Sequence, residues 1–159
     1  MMKKFTFAVA GLAMLGIAGS AIGASHADPA IAGAIKARKA VMQLYAYNLG
    51  QLGAMAKGAV EYDAGVAGTA AANLAALTKL DNSTMWPKGS DEMSASDTRA
   101  KVEMWENMGD VIAKATMMQE AADKMAGAAG TDLASLQAAI GGVGGACGAC
   151  HKAYRAPAN

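Results

Sequence analysis

Apolar side chains recur at steps of three and four along most of this chain. From Ile31 they fall on Ile31, Ile35, Met42, Tyr45, Leu49, Leu52 and Ala56, and the charge of Arg38 takes one place in the same seam. This heptad spacing predicts an amphipathic helix. Asp28-Pro29 supplies its start, an N-cap followed by proline at the first helical position, and Gly58 its end after about Lys57. A second helix, roughly Ala64 to Leu80, follows Asp63 as cap and carries Val66, Ala70, Leu74 and Leu77. A third, about Thr98 to Ala126, repeats Met104, Met108, Val111, Ala115, Met118, Ala122 and Met125, with Val102, Trp105 and Ile112 widening the face. Gly127 and Gly130 are expected to break it. A fourth, capped by Thr131 or Asp132, carries Leu133, Leu136, Ile140, Val143, Cys147, Cys150 and Tyr154 on one seam. Asp81 to Asp97, with Trp86-Pro87-Lys88-Gly89-Ser90, is the one long break and reads as a crossover loop, more simply a plain connection than a functional one. Four such helices with one long connection predict an all-α fold, an antiparallel four-helix bundle.

Composition agrees. The 159 residues are 53% hydrophobic but only 5% aromatic, and they are rich in Ala, Gly and Met, which favours helix over strand. The formal net charge of +1 comes without a Lys/Arg cluster, which argues against a nucleic-acid partner. Residues 1–27 read as a cleaved export signal: Lys3 and Lys4, an apolar run from Phe5 to Ala24, then Ser25-His26-Ala27 before the cut. An uncleaved membrane anchor is the alternative, against which the Gly and Ala content of the run weighs. Residues 28–159 then form the mature domain, with no membrane attachment.

Cys147-Gly148-Ala149-Cys150-His151 is the stretch with chemistry. It has the C-x-x-C-H spacing by which a c-type haem is attached. Two cysteines three apart on a helix lie on nearly the same side, so both thiols can add to the vinyl groups at one edge of a porphyrin. His151 follows and can bind the iron from below. A redox disulfide usually accompanies a βαβ pattern, which is missing here. A structural zinc site wants four ligands, and the chain has 2 Cys and 2 His, with His26 inside the signal. The reading is one haem c per chain, and export suits covalent haem attachment. Gly141, Gly142, Gly144, Gly145 and Gly148 crowd the same helix, each costing roughly 1 kcal/mol relative to Ala. Close approach of backbone to a flat macrocycle would offset that; a frayed helix end is the simpler alternative. The methionine stripe is read as packing.

The ending Cys147 to Arg155, the approach Gly141-Gly142-Val143-Gly144-Gly145, the turn Lys57-Gly58 with Tyr62-Asp63-Ala64, and Trp86-Pro87-Lys88-Gly89-Ser90 together resemble the class II c-type cytochromes, the cytochrome c′ family. The resemblance spans residues 28 to 159. It implies a four-helix bundle with haem in its core, a periplasmic location and, often, a homodimer packed through the first two helices. It also implies that Arg38 meets a haem propionate, and a charge in an apolar seam needs such an anion; an arginine that snorkels to water is the alternative. One turn later, Met42 stands where the sixth iron position is covered. In low-spin members a methionine there ligates the iron, which suits electron transfer with redox partner proteins. In typical members the residue only blocks, and the iron binds nitric oxide or carbon monoxide. Residue identity leaves both open; the expectation adopted is His151/Met42 ligation and an electron carrier, not an enzyme. A peroxidase comes third, because the exported chain has no second histidine to act as distal base.

Overall fold

Three aspartates set the helix starts in a computed structural model that describes residues 28–158. Asp28, Asp63 and Asp132 each turn a carboxylate oxygen onto a first-turn amide, of Ala30, Val66 and Ser135 respectively, at 2.7 to 2.9 Å. The helices they open are α1 (Pro29–Ala56), α2 (Ala64–Thr78) and α5 (Leu133–Tyr154). The expected signal at residues 1–27 lies outside the described residues.

The third expected helix is not one element. Its first residues are extended, with Ala100 paired across an antiparallel bridge to Arg155. Helix begins only at α3 (Glu103–Glu106), breaks at Asn107 (φ −121°, ψ 41°), and resumes as α4 (Met108–Ala128). Backbone pairing with the chain end outweighs local helix propensity there. Gly127 does not break α4, which runs through it to Ala128. The other two glycine stops hold: Gly130 lies in the turn after α4, and Gly58, at φ +71°, takes the left-handed conformation that ends α1.

The four long helices pack in the ring order α1, α2, α4, α5 and back to α1. Their core lies toward the end of the bundle where α1 turns into α2. Leu52, Leu74, Met125, Leu136 and Val143 are fully buried there, with Ala67, Ala70 and Ala71 of α2 letting its backbone come close. α2 and the α4–α5 turn come close together, so that a β-carbon on Gly130 would sit 3.4 Å from the Gly68 Cα. Asn73 Nδ2 donates to the buried Asn48 Oδ1 at 3.0 Å, which sets the α1–α2 register. Five residues on, α2 ends, level with residue 43 of α1. Beyond that level α1, α4 and α5 continue without it, and residues 79–102 take its place.

Candidate haem site

The cysteines lie where α2 ends, Cys147 beside Tyr45 at the level of its last turn and Cys150 one turn further on. Cys147 and Cys150 project from the same side of α5, half-buried and not joined to each other. The Cys147 Sγ lies 3.8 Å from the Met118 Sδ on α4, and Cys147 also borders Tyr45 of α1, whose phenol is pushed up to about 12 by burial and by that thiol. Burial pushes both thiols above their ordinary range, so they stay protonated near neutral pH. No group of three or more His, Cys, Asp or Glu able to hold a metal ion occurs among the described residues, which removes the zinc alternative for them. His151 sits one residue on, half-buried. Burial, then the charges of Arg155 and Arg99, hold its imidazole below the ordinary range. A neutral imidazole is the form that binds a metal.

Four of the glycines bear on the fit. β-Carbons added at Gly141, Gly144, Gly145 or Gly148 would meet nothing within 4 Å. Packing within this chain therefore does not require these glycines. Gly144 lies two turns before His151 on the same face of α5. Two thiols on one side of a helix, a neutral histidine next to them and uncrowded backbone beside it fit a covalently attached haem. Cys147 and Cys150 would hold it, and His151 would reach its iron.

Two expected residues come from α1. Gln137 Nε2 donates to the Ala56 carbonyl at 2.8 Å, the Gly53 backbone faces Ile140, and Tyr45 borders Cys147. These pairs step along α1 and α5 in opposite directions at one rate. Continued, the register brings Met42 level with Cys150 and His151. Met42 is 41% exposed, just past the end of α2. Arg38 is 4% exposed, so it does not snorkel. Its NH1 donates to Ser90 Oγ (2.7 Å) and the Met85 carbonyl (3.3 Å), and its NH2 to the Ser90 carbonyl and Thr98 Oγ1 (2.6 Å). The guanidinium also lies 4.6 Å from the Trp86 ring centre. Of five N–H donors, only Nε–H is left for an outside anion.

Three residues near the site escaped the sequence reading. Ser90 and Thr98 take Arg38's hydrogen bonds; a buried arginine demands such acceptors, but nothing in the chain's order says which they are. Asp110 on α4 accepts from the Tyr154 hydroxyl at 2.6 Å and from Lys114 at 3.1 Å, tying α4 to the end of α5.

Comparison with known proteins agrees with this geometry. The family model described as Cytochrome C′ matches residues 33–155. A cytochrome c-554 of Cereibacter sphaeroides is 50% identical over 121 residues, 76% of this chain and 91% of that protein. A cytochrome c′ from the same species is 36% identical over 121 residues, 76% of this chain and 81% of that protein. Among solved structures, a cytochrome c′ from Rhodobacter Spheriodes superposes with a TM-score of 0.79 at 36% identity, covering 80% of this chain and 98% of that one. A cytochrome c′ from Shewanella frigidimarina gives 0.72 at 37% identity, covering 80% and 97%. With its motif at the end of a four-helix bundle and relatives along nearly the whole described chain, this protein belongs to the cytochrome c′ family and is a c-type cytochrome whose cofactor is covalently bound haem.

Proposed function

We propose that the protein is a periplasmic electron carrier, with Cys147 and Cys150 as haem tethers, His151 as the proximal iron ligand and Met42 as the distal one. The observation that carries this reading is the α1–α5 register, which runs Met42 to the level of His151. When bound, the haem supplies a one-electron iron couple. The chain's own part is to keep the iron's surroundings unchanged as its charge changes. Burial keeps His151 neutral, and the thioether of Met42 carries no proton, so neither side chain needs to gain or lose one near neutral pH. The greater likeness to the C. sphaeroides protein named cytochrome c-554 than to its cytochrome c′ supports a role apart from the c′ type.

The second reading is a five-coordinate gas binder. It is favoured by the exposure of Met42 and by a relative from Alcaligenes xylosoxidans, 29% identical with a TM-score of 0.69, whose structure is titled as a variant with bound NO. Absorption spectra of the oxidised and reduced protein, with and without carbon monoxide, separate the two. The expected result is a low-spin reduced spectrum unmoved by the gas in the wild type, and a high-spin, gas-binding spectrum in Met42→Ala. A wild type that shifts on adding the gas makes it a gas binder.

A homodimer through α1 and α2 belongs to the same proposal. Tyr47 (67% exposed) and Val66 (43%) line one shallow groove on the outer face of these helices. A related cytochrome c′, 32% identical with a TM-score of 0.74, is described by its structure's title as having ligand-controlled dimer dissociation. Export through residues 1–27 completes the proposal.

A further inference from the structure

The crossover loop is bonded at both ends to the helices that carry Met42 and His151. On the α1 side its anchor is Arg38, one turn before Met42. That guanidinium spends its NH1 and NH2 donors on Met85, Ser90 and Thr98, and it faces the ring of Trp86. The segment it grips is itself stiff. The Ser90 amide closes a turn on the Pro87 carbonyl, with Gly89 at φ +80° where such a turn needs a positive φ. The Ser90 hydroxyl donates to the same carbonyl at 2.7 Å, and Trp105 Nε1 donates to the Trp86 carbonyl at 3.0 Å. Lys39, next to Arg38, bonds Asp97.

On the α5 side the loop pairs with the chain directly after the haem motif. The Lys101 amide donates to the Tyr154 carbonyl at 3.0 Å, and the Ala156 amide to the Arg99 carbonyl at 2.9 Å. Within the loop, the Glu92 amide donates to the Ala100 carbonyl at 2.8 Å. Thr98 Oγ1 joins the two ends, because it accepts from Arg38 and from the Ala100 amide at once. The direct α1–α5 side-chain hydrogen bond among the described residues is at the opposite end of the bundle, between Gln137 and Ala56.

We propose that residues 85–101 form a strap that holds the Met42 turn of α1 at a set distance from the His151 end of α5, with Arg38 as a positioning residue anchoring it. The effect on the iron rests on the proposed Met42 ligation; the mechanical coupling does not.

The test uses the haem-loaded protein as it is exported, in two variants, Arg38→Gln and Ser90→Ala/Thr98→Ala. The second keeps the guanidinium, so any effect it has cannot come from a lost haem carboxylate contact, and it serves if the first does not fold. Amide exchange is followed at Lys101 and Ala156, whose amides bond backbone carbonyls and none of the altered side chains, with carbon monoxide binding to the reduced protein as second readout. The expected result is exchange faster by roughly tenfold at both amides in both variants, the scale of one or two lost hydrogen bonds, and a gas-reactive fraction above that of the wild type. Unchanged exchange at Lys101 and Ala156 overturns the strap. So does a double variant that matches the wild type while Arg38→Gln alone gains gas reactivity, since that pattern assigns Arg38 to the haem carboxylate. A wild type that already binds the gas fully overturns Met42 ligation, and the exchange arm still decides the coupling.

Discussion

The two ends of this bundle are built on different terms. At the α1–α2 turn end, four helices meet and close on themselves: Leu52, Leu74, Met125 and Leu136 are fully buried, and Gly68 and Gly130 bring backbones together. At the haem end only three helices continue. Met42, Met108 and Ile112 stay 39 to 59% exposed, and the fourth side is a hydrogen-bonded loop around a buried arginine; four glycines of α5 that lead toward this end have open space beside them. One end is stabilised by apolar contact within the chain. The other rests on polar bonds between the loop and the helices, which fix distances.

The sharpest break in this comparison is Leu136→Ala at the closed end. Deleting a fully buried leucine should cost about 2–5 kcal/mol in denaturant unfolding of the haem-free protein. The glycines make a matched pair of smaller tests. Gly130→Val overpacks the contact with Gly68 and should cost about 1–3 kcal/mol. Gly144→Ala meets no neighbour and should raise haem-free stability by about 0.5–1 kcal/mol through helix propensity alone. If Gly144 serves the haem, that gain shrinks or reverses in the loaded protein, which a parallel denaturation series measures.

The smallest effect is the pH dependence of the polar tie. Hydrogen bonds from Tyr154 and then Lys114 hold the Asp110 carboxyl below the usual carboxylate range. The folded state thus favours the ionised form. This contribution is complete above about pH 4 and fades as pH falls through the lowered value. The same bond pushes the Tyr154 phenol up to about 12, so at the alkaline side it is lost as pH rises from 10 toward that value. Asp110→Asn should flatten the acid limb of midpoint against pH; an unchanged limb would show that the tie adds nothing there.

Much of this was legible in the chain's order. The heptad seams of α1 and α5, the capping aspartates and the C-x-x-C-H spacing depend on neighbours within a turn or two; the structure keeps the caps and most of both seams, with Met42 and Leu133 exposed. The stretch from Thr98 to Val102 is not the helix that local propensity predicts, because its partners, Tyr154 and Ala156, lie some fifty residues away and outbid that propensity. Asp110 gave no signal for the same reason: its hydroxyl partner comes from another helix. Arg38 was visible as a charge in an apolar seam, and its burial followed, but its acceptors did not.

What the residues alone decided is therefore the local part: helices, their inward faces, and the placing of two thiols and an imidazole on one side of α5. Those follow from the helical repeat and the chemistry of the side chains. Tertiary structure decided what lies opposite. It ended α2 short of Met42, brought Met42 level with His151 and gave Arg38 to the loop, because helix register and the partners of a buried charge depend on which surfaces meet in three dimensions.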